Sequence, residues 1–494
     1  MLDQKRIDTL RSEPVSVRKL FIDGQWQPGS GGVLEVLSPI DGSVLTTIER
    51  ACEEDMTRAI ASARTAFDDG RWSRLAPAAR KKVLHRLADL IEGEALALSV
   101  LGVRDNGTEI NMAFKAESGS AAGTFRYYAE AIDKVYGEIA PTDENILALV
   151  HKEPVGVVGA IVPWNFPLMI GAWKIAPALA AGNSVVLKPA ETASLSLLRL
   201  AELACEAGLP DGVFNVVTGK GSVVGETLAL SMDVDILAFT GSGATGRRLL
   251  EYAARSNLKR CYLELGGKSP NIVFADAPDL DRAAGVSASG IFRNSGQVCV
   301  AGSRLLVQRD IHDDFVGALA KRAEAFRVGD PLDLESDIGA VNSLAQLEGD
   351  LAFVATAEKE GAERVTGGNR ILEETGGYYM QPTVLIGVGP RDTIAQEEVF
   401  GPVLAVIPFD SEEEAVTIAN DSNFGLAGAV WTSDLSRAHR MVRRVKTGVI
   451  HVNTYGGADA TVPLGGVKQS GNGHDKSLHA LDKYFDLKTA WIQL

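Results

Sequence analysis

Cys299 lies in the stretch NSGQVCVAGSR (residues 294–304), among Gly296, Gln297, Ala301, Gly302 and Ser303. Small and polar neighbours suit close backbone approach and an accessible thiol, whereas a structural cysteine usually sits in an apolar periodic run. The chain has only four cysteines, and Cys52, Cys205 and Cys261 fall in helical or strand patterns that read as structural. A thiol in the setting of Cys299 is suited to nucleophilic attack on an electrophilic carbon, provided it ionises below its reference pKa of about 8.5. No histidine partner is evident, so local N–H groups or a cationic cofactor ring are expected to assist.

The second chemical signal is glycine. GSGATG (residues 241–246) spells G-x-G-x-x-G between the strand-like DILAF and a helical run. A strand, a glycine turn and a helix N-terminus make an anion site, because unpaired N–H groups and the helix dipole face the phosphate. GKGSVVG (residues 219–225) is a second glycine turn opening a helix, so two helix N-termini can face one groove. A dinucleotide site also wants an acid at a strand end for a ribose hydroxyl. Glu264, closing RCYLEL, fits that slot. Glu191, with Lys188 in SVVLKPAE, is a rival, and spacing alone leaves the two open.

The elements that must carry these residues alternate. VVGAIV, SVVLK, VFNVV and DILAF read as strands, each followed by a helical run. After RCYLELGG the pattern restarts with NIVF, RLLVQ, LAVIP, AGAVW and VIHVN as strands and residues 313–326, 411–421 and 435–445 as helices. This order predicts parallel sheets covered by helices, an α/β fold with a boundary near residues 266–267. Ahead of it, residues 21–30 and 33–45 read as hairpin strands, and residues 55–67 and 77–101 as two helical stretches. LKTAWIQL, at residues 487–494, and NILALVHKEPV, at residues 145–155, read as strands able to add to sheet edges in a partner.

A chain of 494 residues predicts two or more domains at roughly 100–200 residues each. The net charge of −15 argues against nucleic acid or an anionic membrane as partner. The cysteines show no CxxC spacing and no nearby histidine cluster, so neither a disulfide framework nor a metal site is expected. The N-terminal stretch has no apolar signal core, and the protein reads as cytoplasmic. Residues 155–173 are long and apolar enough to imitate a membrane span, but Pro163, Pro167 and the β-branched VVGAIV favour a buried strand and a loop.

Seven segments together resemble the aldehyde dehydrogenase superfamily: PWNFP (163–167), KPAE (188–191), FTGS (239–242), ELGGK (264–268), GQVC (296–299), EEVFGPV (397–403) and GGVKQSG (465–471). RYYAEAIDKVYGE (126–138) and KQSGNGHDKSLHAL (468–481) resemble the bacterial branch acting on γ-glutamyl-γ-aminobutyraldehyde and other ω-amino-aldehydes, with indole-acetaldehyde dehydrogenases similar there too. The resemblance implies Cys299 as nucleophile, Glu264 as general base rather than ribose ligand, and Asn165 with the Cys299 N–H as oxyanion donors. It implies NAD as cofactor, with Lys188 and Glu191 on the adenosine ribose and Trp164, Gly221, Ser242, Leu265, Glu398 and Phe400 lining the groove. Phe166, Trp173 and Leu464 would line the aldehyde tunnel, with Glu117 and Asp459 as candidate acids for a cationic tail.

It further implies a Rossmann-variant NAD-binding domain (residues 1–138 and 157–265), a catalytic α/β domain (266–464) and a small β oligomerisation element (139–156 and 482–494) in a homodimer or homotetramer. The expected reaction is oxidation of an aldehyde to a carboxylic acid through a cysteine thiohemiacetal and thioester, with Glu264 activating the hydrolytic water. A broad-specificity aliphatic or aromatic aldehyde dehydrogenase, a CoA-acylating relative and a catalytically silent NAD-binding protein are the alternatives. Three departures stand out: Leu464 and Val467 where the family commonly has aromatics, and Thr108 where lysine is typical. Leu464 bears on substrate, because an aromatic there usually narrows the tunnel.

Overall fold

The computed structural model describes residues 2–457 and 459–494. Two seven-stranded sheets dominate it. The first runs in the spatial order Arg260–Glu264, Ile236–Thr240, Val157–Ile161, Ser184–Lys188, Phe214–Val216, then the hairpin Leu20–Ile22 and Gln25–Gln27. Its first five strands are mutually parallel, Leu20–Ile22 runs antiparallel to Phe214–Val216, and Gln25–Gln27 runs antiparallel to Leu20–Ile22. Val157–Ile161 and Ser184–Lys188 are buried at every residue, as continuous apolar strands covered by helices on both faces must be. The chain passes outward from Val157–Ile161 in one direction and returns through Ile236–Thr240 on its other side. That reversal is a topological switch point, and the crevice beyond the strand ends is where α/β sheets take ligands.

The second sheet is ordered Glu363–Thr366, Thr383–Ile386, Val403–Phe409, Arg304–Gln308, Pro270–Val273, Ala427–Trp431 and Val449–Val452, parallel except at its first strand. The expected α/β class and Rossmann-variant unit are both present. A third, antiparallel sheet pairs Phe485–Gln493 with Ile146–Pro154 along nine residues, and Glu138–Ala140 closes the other side. Ile146–Pro154 thus has one edge fully paired within the chain and the other paired only at Ala148–Val150. Only Phe485–Gln493 and Glu138–Ala140 keep an outer edge in this sheet.

Two local expectations change. Residues 77–101 form two helices, Pro77–Gly93 and Ala95–Asn106, because the chain leaves helical geometry at Glu94 (φ −104°, ψ 13°), just after the weak helix former Gly93. A helix at Leu344–Lys359, not anticipated from the sequence, flanks the second sheet. The apolar stretch 155–173 divides into the strand Val157–Ile161, a loop, and the helix Pro167–Ala181. Among the described residues no helix is long and apolar enough to cross a membrane.

Candidate active site

Cys299 follows a tight bend in which Asn294, Ser295 and Gly296 have φ of 50°, 53° and 72°. Two consecutive left-handed non-glycine residues are costly and persist only where surroundings impose them. Here the Asn294 N–H donates to Glu109 Oε1 (3.1 Å), Ser295 Oγ donates to the Gly339 carbonyl (3.0 Å), and Gln297 Oε1 accepts the Asn342 N–H (2.8 Å). Gly267 passes so close that a Cβ on it would lie 2.6 Å from the Cys299 carbonyl, so the segment carrying Glu264 is pressed onto the cysteine loop.

The thiol is partly exposed to a cavity of about 240 Å³ that also touches Asn165, Leu265, Gln346, Glu398 and Phe400. Burial, then the Glu398 and Glu264 carboxylates, push Cys299 up to about 12, against which its own and the Val300 N–H act weakly. These surroundings favour the protonated thiol. The N–H groups alone do not offset this, which leaves the expected help to a cationic cofactor ring or a base.

Glu264 is the carboxylate expected to act as base. It ends the strand Arg260–Glu264, is buried, and its Oε1 has no hydrogen-bond partner among the described residues. Burial and the nearby Asp475 raise its pKa well above the carboxylate range, partly countered by Lys174 and Lys483. Those lysines clasp Asp475: Lys174 Nζ donates to Oδ2 at 2.8 Å and Lys483 Nζ to Oδ1 at 2.6 Å, all three groups being buried. Two lysines on one aspartate keep it ionised. This cluster was not foreseen, since its members lie as far apart as residues 174 and 483.

Asn165 belongs to the loop between Val157–Ile161 and the helix Pro167–Ala181. One N–H of its amide donates to the Gln297 carbonyl at 2.8 Å, which ties it to the cysteine loop and leaves the second N–H for a ligand. Trp164 and Phe400 meet edge to face, 5.3 Å apart at 88°, across the cavity mouth. Glu398 Oε1 accepts the Gly267 N–H at 2.9 Å, and burial pushes its carboxyl up to about 7.

A groove of about 720 Å³ continues from this cavity along the switch point, sharing Pro163, Trp164, Thr240, Gly241 and Ser242 with it. Lys188, Glu191, Gly221 and Ser242 line it as expected. Ser242 caps the helix Gly243–Arg255. Glu191 Oε1 accepts the Gly221 N–H (3.1 Å), which fixes its carboxylate in the groove beside the buried Lys188. Thr240, Asn342 and Ser343 also line it and were missed; the Thr240 hydroxyl is buried there without a partner among the described residues. An elongated groove with a buried amine, a fixed carboxylate and an unsatisfied hydroxyl fits a dinucleotide.

On the other side lies a cavity of about 650 Å³, lined by Met169, Trp173 and Tyr127 with Lys115, Arg126, Glu130, Asp459 and Lys476. Met169 and Trp173 lie one turn apart on one face of Pro167–Ala181. Lys476 Nζ sits 5.6 Å from the Trp173 ring centre, and Asp459 is exposed, its carboxyl lowered by Thr461 and Lys476. Glu117 is corrected: it is buried, and its Oε2 accepts the Met169 N–H at 2.6 Å. The first turn of a helix has unpaired N–H groups and a positive dipole end, so this acid caps a helix instead of facing a tail. Phe166 is buried in the core, and Leu464 pairs its backbone with Asp475; neither lines this cavity.

A model of the aldehyde dehydrogenase family matches residues 26–490. The chain is 50% identical over 477 residues to the NADP/NAD-dependent aldehyde dehydrogenase PuuC of Escherichia coli, covering 96% of each. A solved γ-glutamyl-γ-aminobutyraldehyde dehydrogenase from Burkholderia cenocepacia superposes with a TM-score of 0.97 at 51% identity, and an indole-3-acetaldehyde dehydrogenase solved with NAD+ superposes with 0.98 at 49%. Both alignments cover 100% of each chain. Half of all residues shared along nearly the whole length, on one fold, admits one conclusion: the chain belongs to the aldehyde dehydrogenase family.

Proposed function

We propose that this aldehyde dehydrogenase uses NAD to oxidise an ω-amino or γ-glutamylamino aldehyde, with Cys299 as nucleophile, Glu264 as base and Asn165 as oxyanion donor. The observation that carries the chemistry is a single cavity where Cys299 and Asn165 meet at the end of a dinucleotide-sized groove. Burial raises both the Cys299 thiol and the Glu264 carboxyl, which brings the carboxylate's proton affinity closer to the thiol's and supports proton transfer between them. Glu264 takes the Sγ proton, and the sulfur then bonds to the aldehyde carbon. The second N–H of Asn165 and the Cys299 N–H receive the negative oxygen. NAD, when bound, supplies the hydride acceptor. Glu264 gives the Sγ proton up to solvent, takes one from water, whose oxygen replaces sulfur on the acyl carbon, and returns it to the departing sulfur, releasing the acid and restoring the thiol.

Lys188, Glu191, Gly221 and Ser242 would hold the cofactor in the longer groove. The fixed Glu191 carboxylate supports NAD over NADP, because a 2′-phosphate there meets like charge. The outer cavity supports the substrate reading. It carries acids (Glu130, Asp459) and bases (Lys115, Arg126, Lys476) around an aromatic wall, a mixed-charge mouth that suits a γ-glutamyl tail bearing both an amine and a carboxylate. The PuuC and γ-glutamyl-γ-aminobutyraldehyde relatives point the same way. Trp173, Tyr127 and Met169 favour a second reading, an indolic aldehyde, in line with the indole-3-acetaldehyde relative.

The test follows NADH absorbance with γ-aminobutyraldehyde, its γ-glutamyl derivative, hexanal and indole-3-acetaldehyde. The highest kcat/KM should fall on the γ-glutamyl compound; a preference for hexanal or the indole would overturn the substrate reading. No turnover of any aldehyde would leave only a silent NAD-binding protein.

Residues 1–138 with 157–265 form the cofactor unit in this reading, 266–464 the unit carrying the cysteine, and 139–156 with 482–494 an assembly element. The outer edge of Phe485–Gln493, with Leu487 and Trp491 exposed, supports a homo-oligomer. A monomeric mass in light scattering at micromolar concentration would remove that claim.

A further inference from the structure

Asp350 stands where an apolar residue would be expected. The helix Leu344–Lys359 buries Leu347, Asp350, Val354 and Ala357, one stripe at helical spacing. Leu347 and Val354 pack there with Val399 and Val403. Asp350 is fully buried. Its Oδ1 accepts a 2.8 Å hydrogen bond from Gln346 Nε2, and the same nitrogen donates to the Val399 carbonyl at 3.0 Å. Its Oδ2 has no partner among the described residues. Gly401 lies so close that a Cβ on it would overlap the carboxyl group. An acid with one oxygen unsatisfied in a core costs stability that an aliphatic side chain would not. Its neighbours suggest what is gained in return. Gln346, Val399 and Phe400 all line the catalytic cavity together with Glu398. Gly401 in turn packs directly against Gly296, in the bend before Cys299.

We propose that Asp350 is a positioning residue for cofactor binding: it aims the Gln346 amide at Val399 and so fixes residues 398–400, the wall on which the nicotinamide end of the groove is built. Asp350 acts through Gln346 and does not touch the reacting atoms. Burial pushes it up to about 8, so near neutral pH it is chiefly the uncharged acid, the form a core accepts. The inference rests on the reading of the groove as the NAD site. If the wild type forms no NADH that reading fails, whereas variants that leave an active wild type's NAD kinetics unchanged fail only the present inference.

The experiment measures NAD and aldehyde kinetics, NAD affinity and thermal midpoint for D350V, D350N, Q346M and D350V/Q346M. D350V, which removes the acceptor but keeps the branched shape, should raise KM for NAD about tenfold, the scale of one lost hydrogen bond, with aldehyde KM unchanged. D350N keeps an oxygen for the Gln346 amide and should rescue most of that loss. The double variant should be no worse than Q346M alone, since both break the same link. An unchanged KM for NAD in D350V, with or without a lower thermal midpoint, would overturn the proposal. So would D350N behaving like D350V, or additive losses in the double variant. Should D350V not fold, Q346M decides: it must weaken NAD binding, and normal binding overturns the proposal.

Discussion

The cavity at Cys299 and the outer cavity beside Trp173 are built on different principles. In the inner one, of about 240 Å³, the polar groups are few, deep and anchored to backbone: Asn165 on the Gln297 carbonyl, Glu398 on the Gly267 N–H, the cysteine bend on Glu109 and Gly339. In the outer one, of about 650 Å³, the charges are side-chain tips at a partly open mouth, and Arg126 is already shared with Asp89 and Glu92. A backbone anchor fixes where a group stands and how much solvent it sees, and hence its proton affinity. A side chain at a mouth can be exchanged without disturbing the fold. In the proposed reading the inner cavity sets which bonds are made and the outer one which molecules arrive.

The comparison breaks most readily at Cys299. Cys299→Ala should lower turnover by about a thousandfold or more while NAD affinity by fluorescence stays within about twofold, because the thiol bonds substrate and does not hold the cofactor. Next comes Glu264→Gln, expected to cost about a hundredfold or more in steady-state rate. If Glu264 serves deacylation, an NADH burst and a covalent acyl-enzyme in the mass spectrum should accompany the loss; weakened NAD binding alone would return Glu264 to a ribose role.

The pH profile sharpens the same point. Glu264 is raised by burial and Asp475, so the acid limb of kcat should lie above the ordinary carboxylate range and rise with pH. Lys174 lowers the Glu264 pKa, so Lys174→Met should move that limb to higher pH; a shift to lower pH would contradict the electrostatics described.

Smaller effects belong to the outer groups. Glu191→Ala should narrow the preference for NAD over NADP by about tenfold, as expected for removing one like charge from a 2′-phosphate. Asp459→Asn and Lys476→Ala, at the mouth, should change kcat/KM for a charged aldehyde by no more than about fivefold and for hexanal hardly at all. A loss on hexanal as large as on the γ-glutamyl substrate would show that these residues support the fold rather than read the tail.

The same division governs what the sequence discloses. Buried parallel strands such as VVGAIV and SVVLK announce themselves, and so do the glycine turns, because local sterics alone require them. Glu264 as base and Asn165 as oxyanion donor came only through resemblance, since one sequence cannot show which distant segments fold around Cys299. The helix Leu344–Lys359 escaped notice because its buried stripe is interrupted by Asp350 and its propensity is lowered by Gly349. Glu117 misled for a related reason. An acid near an expected tunnel looks like a ligand group until the first turn of Pro167–Ala181 is seen to need a cap. Lys476 lies far from Lys115 and Arg126 in the sequence, and only the folded arrangement gathers them at one opening.

Asn165 and Glu264 hang from strand ends of the first sheet, whereas Cys299 and Glu398 belong to segments framed by the second. The constellation consequently exists only while the two sheets are docked, and turnover becomes a gauge of that docking. In rising urea, activity should vanish over a range where far-ultraviolet ellipticity is still intact, because a slight parting of the seam separates thiol from base before either sheet unravels. A ligand lying across the seam would close that gap, stiffening the enzyme at the place where its chemistry is most easily lost.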